Sequence, residues 1–125
     1  SGAEVHYGQG WRRPEVQGRW LNNEGSLVLP ASCACDFVAD FYVPQSFHAR
    51  RIEVRREGSV TGQWTLLPGR TTSVELGKAG TRTPIVLLAT PSPEQSPAGT
   101  GGAEDPTMGA LLTSYAVRCA VPATP

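Results

Sequence analysis

The chain has 125 residues, with 11 Lys plus Arg against 11 Asp plus Glu, so it carries no net charge; 39% of it is hydrophobic and 18% charged. That length supports one hydrophobic core and not two, and a chain with no basic excess is a poor match to nucleic acid as a partner. The 14 glycines and 11 prolines, in a chain still apolar enough to form a core, point to many turns and short strands.

The opening Ser1-Gly2-Ala3-Glu4 lacks a charged stretch leading into an apolar one, and no run of about 18 apolar residues occurs. The expectation is a soluble piece of something larger. The densest unusual stretch follows, Gly10-Trp11-Arg12-Arg13-Pro14-Glu15-Val16-Gln17-Gly18-Arg19-Trp20. It combines two tryptophans, three arginines and a carboxylate, and neither a strand period nor a helix period explains it. Leu27 and Leu29 then alternate with Ser26 and Val28, and Phe37, Ala39, Phe41 and Val43 share one face opposite Asp36, Val38, Asp40 and Tyr42. Pro30 and Pro44 end these runs, because proline cannot donate to a ladder.

Ile52 and Val54 lie between Arg51, Glu53 and Arg55, a strand with one wet face. Gly58-Ser59 reads as a turn, and Val60, Gly62, Trp64 and Leu66 continue on one face, so residues 50–66 are predicted to form a hairpin closed by Pro68-Gly69. Trp64 is expected in the core on this phase. A short strand through Val74 and Leu76 follows, then a turn over 77–80. Ile85-Val86-Leu87-Leu88 is apolar on both faces, which predicts a central strand covered on both sides. Residues 91–106 shift to Pro, Gly, Ser, Ala and Thr and are assigned to a long surface loop. For residues 108–119 a strand is preferred to a helix, with Leu111, Thr113, Tyr115, Val117 and Cys119 on one face. The whole reads as an all-β, antiparallel two-sheet sandwich, jelly-roll or immunoglobulin-like, in one domain over 1–121 with a tail at 122–125.

Three cysteines, Cys33, Cys35 and Cys119, give an odd count. A bridge from Cys33 or Cys35 to Cys119 would stabilise by roughly 4 kcal/mol on the chain-entropy model and imply an oxidising compartment; the other reading is three buried thiols. With only His6 and His48 beside them, at no ligand-like spacing, no structural metal is expected, and no cofactor.

The Gly-Trp-x-x-Pro-Glu-x-x-Gly-Arg-Trp opening, followed by a short apolar strand ending in Leu29-Pro30, resembles the small β-sandwich domain at the C-terminal end of many bacterial membrane glycosyltransferases and related envelope polysaccharide proteins. The likeness continues through Arg51-Ile52-Glu53-Val54-Arg55 and Gly62-Gln63-Trp64, and through Asp105-Pro106-Thr107-Met108-Gly109 before the last strand. It implies a periplasmic or otherwise extracytoplasmic module, tethered to the inner membrane in the full-length protein. The attached transferase would decorate pilins or other envelope acceptors.

Sugar binding needs a flat apolar face to stack on ring C–H groups and planar polar side chains to hydrogen-bond hydroxyls. Trp11, Arg12, Arg13, Glu15, Gln17, Arg19 and Trp20 supply both and are the candidate carbohydrate-binding residues. The competing reading has both tryptophans plugging the sandwich end and Glu15 and Arg19 forming a structural ion pair. Asp36 and Asp40 are too few for a calcium site. No nucleophile elbow, phosphate loop or metalloprotease helix appears, so this domain is not expected to be an enzyme. The sequence-level function is a non-catalytic accessory domain that binds carbohydrate, a glycan acceptor or a lipid-linked donor. The alternative is a structural or docking module that packs on the transferase's membrane domain or on a protein acceptor such as pilin.

Overall fold

The alternating apolar runs form ten strands in a computed structural model that describes residues 6–29, 35–78, 84–92 and 108–119. They are β1 (His6–Tyr7), β2 (Trp11–Pro14), β3 (Arg19–Asn22), β4 (Glu24–Val28), β5 (Cys35–Val43), β6 (Arg50–Arg56), β7 (Ser59–Leu66), β8 (Arg70–Lys78), β9 (Ile85–Pro91) and β10 (Met108–Cys119). No helix occurs among the described residues. One sheet has the order β1-β4-β9-β6-β7 and the other β2-β3-β10-β5-β8, with every pairing antiparallel.

Within this order β3 pairs with β10, β4 with β9, β5 with β8 and β6 with β7. Nested pairing of first with last, inward to a central hairpin, is the winding of an eight-stranded jelly roll. The choice left open by the sequence therefore falls to the jelly roll, with β1 and β2 added at one edge of each sheet. The core lies between the sheets, where Phe37, Phe41 and Leu112 face Ile52, Val54, Ile85 and Leu87, all buried. Each such aliphatic or aromatic side chain contributes about 1.5–3 kcal/mol of burial.

The central hairpin closes at Glu57-Gly58, one residue before the position read from sequence. Both turn residues have positive φ, 51° and 80°, the primed-turn geometry that matches strand twist. A bulge follows: Val54 opposes Gly62 and Arg55 opposes Val60, leaving Thr61 without an opposite residue, while its hydroxyl donates to the Val54 carbonyl at 3.2 Å. The bulge breaks the phase that sequence assigned to this strand. Val60 is 48% exposed, whereas Trp64, opposite Ile52, packs on the core. The Gly62-x-Trp64 pattern has a direct cause, since a Cβ at Gly62 would stand 2.5 Å from the indole.

Strand β9 is central, as expected, but only one of its faces is fully covered. Ile85, Leu87 and Ala89 are buried, and Val86 and Leu88 on the other face are half-buried. The arginines of β6 also divide by face. Arg51 and Arg55 stand on the wet side with Glu53 and Gln63, joined by Arg51 to Gln63, Gln63 to Glu53 and Arg55 to Glu53 hydrogen bonds. Arg50 and Arg56 follow the phase of Ile52 and Val54 inward. Pro91, assigned to the surface loop from sequence, is instead the last residue of β9; residues 93–106, the 122–125 tail and Cys33 lie outside the described residues. The ladder places Cys35 directly opposite Cys119.

Candidate functional site

The segment 10–20 that no period explained is a β-hairpin, β2 and β3, joined through Val16 and Gln17. Glu15 N–H donates to the Gly18 carbonyl at 2.7 Å and Gly18 N–H to the Glu15 carbonyl at 3.2 Å. Its period is hidden because a bulge lies between the Trp11–Leu21 and Pro14–Arg19 pairs. Gly18 has φ of 150°, and a Cβ there would stand 2.0 Å from the Leu112 carbonyl oxygen. Glycine is required for the hairpin to lie this close to β10.

The tryptophans take structural places. Trp11 packs on the core opposite Leu21, and its indole N–H donates to the Ser26 carbonyl at 2.8 Å, tying the two sheets together. Trp20 faces away from Leu21 and stacks on Phe47, with centroids 5.8 Å apart. Arg12 donates to the Asn22 side chain at 2.7 Å. Arg13 and Gln17 are exposed on the hairpin. Of the seven candidate residues, Glu15 and Arg19 line a groove on which further side chains converge.

That groove, of about 250 Å³, is lined by Tyr7, Pro14, Glu15, Gly18, Arg19 and the β10 residues 112–115. It therefore spans the first strand of one sheet and three strands of the other, β2, β3 and β10. The Arg19 guanidinium carbon lies 4.3 Å from the centroid of the Tyr7 ring, a cation–π contact, and its Nη1 donates to the Arg12 carbonyl at 3.3 Å. Trp11 buttresses the same tyrosine edge-on, with centroids 4.9 Å apart. On the opposite wall Tyr115 stacks on Phe37, with centroids 6.4 Å apart and planes inclined by 26°. Among the described residues Glu15 and Arg19 do not form the ion pair considered from sequence; Arg19 instead contacts the Arg12 carbonyl and the Tyr7 ring.

Tyr7 and Tyr115 are the residues that sequence reasoning missed. The face assigned to β10 placed Tyr115 with Leu111 and Thr113. A bulge at Thr113 overturns that phase, since Leu112 opposes Phe41 and Ser114 opposes Asp40. Leu112 and Tyr115 consequently share the inner face, opposite buried Phe41 and Ala39. Thr113 Oγ1 donates to the Asp40 carbonyl at 3.2 Å, and the Asp40 carboxylate accepts from Ser73 at 2.7 Å and Ser114 at 3.0 Å. Asp40 thus fixes the bulge by clamping β8, β5 and β10. Bulges of this kind re-aim side chains beside binding sites.

Burial raises the Tyr7 pKa above the ordinary tyrosine value, and nearby Tyr115 adds to the rise while Arg19 opposes it. Near neutral pH Tyr7 is a protonated phenol, able to donate and to accept. Among the described residues no group of three His, Cys, Asp or Glu side chains is placed to hold a metal ion. No family model and no curated protein matches the chain.

Proposed function

We propose that this jelly roll is a non-catalytic carbohydrate-binding module, holding a glycan acceptor or lipid-linked donor for an attached bacterial membrane glycosyltransferase in an extracytoplasmic setting. The observation that carries the reading is the groove between Tyr7 and Tyr115, in which aromatic walls meet the Arg19 guanidinium and Glu15. Its chemistry is that of sugar recognition: the Tyr115 ring and Leu112 are apolar surface for C–H groups, and the Arg19 guanidinium, Glu15 and the Tyr7 hydroxyl are planar donors and acceptors for hydroxyls. The attachment to a transferase, the inner-membrane tether and a pilin-type acceptor rest on the resemblance of the 10–20 motif. The binding residues shift from the tryptophans to Tyr7, which Trp11 supports, and Tyr115.

A panel of oligosaccharides titrated into ¹⁵N-labelled protein tests the proposal. Shifts confined to Tyr7, Arg19 and 112–115, and abolished in Tyr7→Leu, are the expected result. Trp11→Phe, which keeps the buttress, retains them. Absence of any shift at millimolar sugar counts against the reading, as do shifts centred on Trp20 and Phe47. One observation favours docking on a protein partner instead: Val16, at the hairpin tip beside the groove, is fully exposed at 103%. Retained glycan binding in Val16→Ser separates that surface from the groove.

A further inference from the structure

The groove holds a half-buried cation whose charge no carboxylate neutralises among the described residues. Arg19 donates once, to the Arg12 carbonyl, and covers the Tyr7 ring. A guanidinium carries five N–H donors in a planar fork, and the partner that satisfies two of them in parallel is a carboxylate. Arg12 does not compete for an anion at this position, because its Nε is turned to the Asn22 side chain. Glu15 is exposed at the hairpin turn, on the solvent side of the same groove.

We infer that the groove selects an acidic sugar, a uronic acid residue whose ring carboxylate takes the free edge of Arg19 while its hydroxyls meet Glu15 and Tyr7. The inference rests on the carbohydrate reading and narrows it to a ligand class. The volume of about 250 Å³ lies just below the ~300–1,000 Å³ of drug-sized ligand pockets, which suits one sugar residue held end-on. A phosphorylated sugar is the poorer match, since its double charge is repelled more strongly than a single one by Glu15 in the same groove, and the planar fork matches a planar carboxylate. Leu112 and Pro14 supply an apolar wall, which strengthens a charge-assisted pair relative to one in open water.

Methyl glucuronide and methyl glucoside, together with methyl galacturonide and methyl galactoside, are titrated separately into the labelled protein at low salt. Each uronide is expected to bind at least about tenfold more tightly than its neutral counterpart, the magnitude of one charge-assisted contact. Arg19→Gln is expected to erase that preference, so that uronide and neutral sugar bind this variant equally, and Glu15→Gln to preserve or enlarge it. Arg19→Lys retains the charge without the fork, and a partial preference in it identifies the fork as the source. Equal binding of uronide and neutral sugar overturns the inference and leaves the carbohydrate reading standing. A uronide preference that survives Arg19→Gln overturns the assignment to this groove. Failure of all four sugars at millimolar concentration overturns both. Glucose 6-phosphate bound more tightly than the glucuronide overturns the choice of carboxylate. Circular dichroism on each variant establishes that it is folded, and Arg19→Lys carries the test should Arg19→Gln not fold.

Discussion

Two arginines mark the two ends of the β3–β10 ladder, and they are used in opposite ways. At the Met108 end, Arg50 is completely buried. Its Nε donates to the Met108 and Gly109 carbonyls at 3.2 and 3.0 Å, Nη2 to Met108 at 3.0 Å and Nη1 to the His48 carbonyl at 3.0 Å. The guanidinium carbon lies 5.1 Å from the Phe47 ring centroid. That arginine ties the loop before β6, β6 itself and the start of β10 into a sealed end. At the Leu112 end, Arg19 rests on a tyrosine face beside an open groove. The same side chain is a structural plug where backbone carbonyls converge on it, and a groove-lining group where it rests on an aromatic face and donates to few carbonyl partners. What differs is the supply of acceptors, set by which backbone segment crosses above each arginine.

The largest expected effect is on the open end. The register sets Cys35 opposite Cys119 at the last described pair of the β5–β10 ladder, and directly opposed residues in an antiparallel pair lie within the separation a disulfide spans. Air-oxidised protein is expected to have the mass of the chain less two hydrogens, with a peptide map joining 35 to 119. Reduction should then cost about 4 kcal/mol on the chain-entropy model, read as a shift of the urea midpoint. An intact mass equal to that of the fully reduced chain means that the open end has no such brace.

Next in size is the sealed end. Arg50→Leu leaves the carbonyls of Met108, Gly109 and His48 without their donor and should destabilise the fold by about 3 kcal/mol. Arg19→Gln, by contrast, should change stability by less than about 0.5 kcal/mol, because one long hydrogen bond and an exposed ring contact are lost. Denaturation curves of the two variants that superimpose would erase the distinction between plug and groove-lining group.

The smallest effect concerns Tyr7. Its raised pKa means that the folded protein holds the phenolic proton more tightly than the unfolded chain. The associated stability is fully present below the unfolded value of about 10 and is lost as pH rises through the folded value. Tyr7→Phe should therefore flatten the fall in stability above about pH 10. An alkaline fall of unchanged steepness in Tyr7→Phe would place the responsible group elsewhere.

The strands were legible where alternation ran unbroken. The 50–66 hairpin and the 37–43 strand follow from apolar residues at every second position and from turn residues between them, and the central place of β9 follows from the continuous apolar run Ile85-Val86-Leu87-Leu88. Alternation failed at each bulge. Thr61 moved Val60 out of phase with Trp64, Thr113 moved Tyr115 to the inner face, and the irregular pairing of β2 with β3 concealed a hairpin within the 10–20 motif. One extra residue in a strand reverses every face assignment beyond it. The groove is lined at its base by residues beyond one of those reversals, which is why the candidate site shared only Glu15 and Arg19 with the groove.

The sequence by itself determined an all-β chain with one core, the arginine-rich hairpin strand and the unusual tryptophan segment, because composition and period-two patterning are local properties. The tertiary structure alone decided that the winding is a jelly roll, that Trp11 and Trp20 are supports, and that Tyr7 meets Tyr115 across Arg19. Those outcomes depend on pairings between residues up to a hundred positions apart and on bulge positions, which no local pattern encodes.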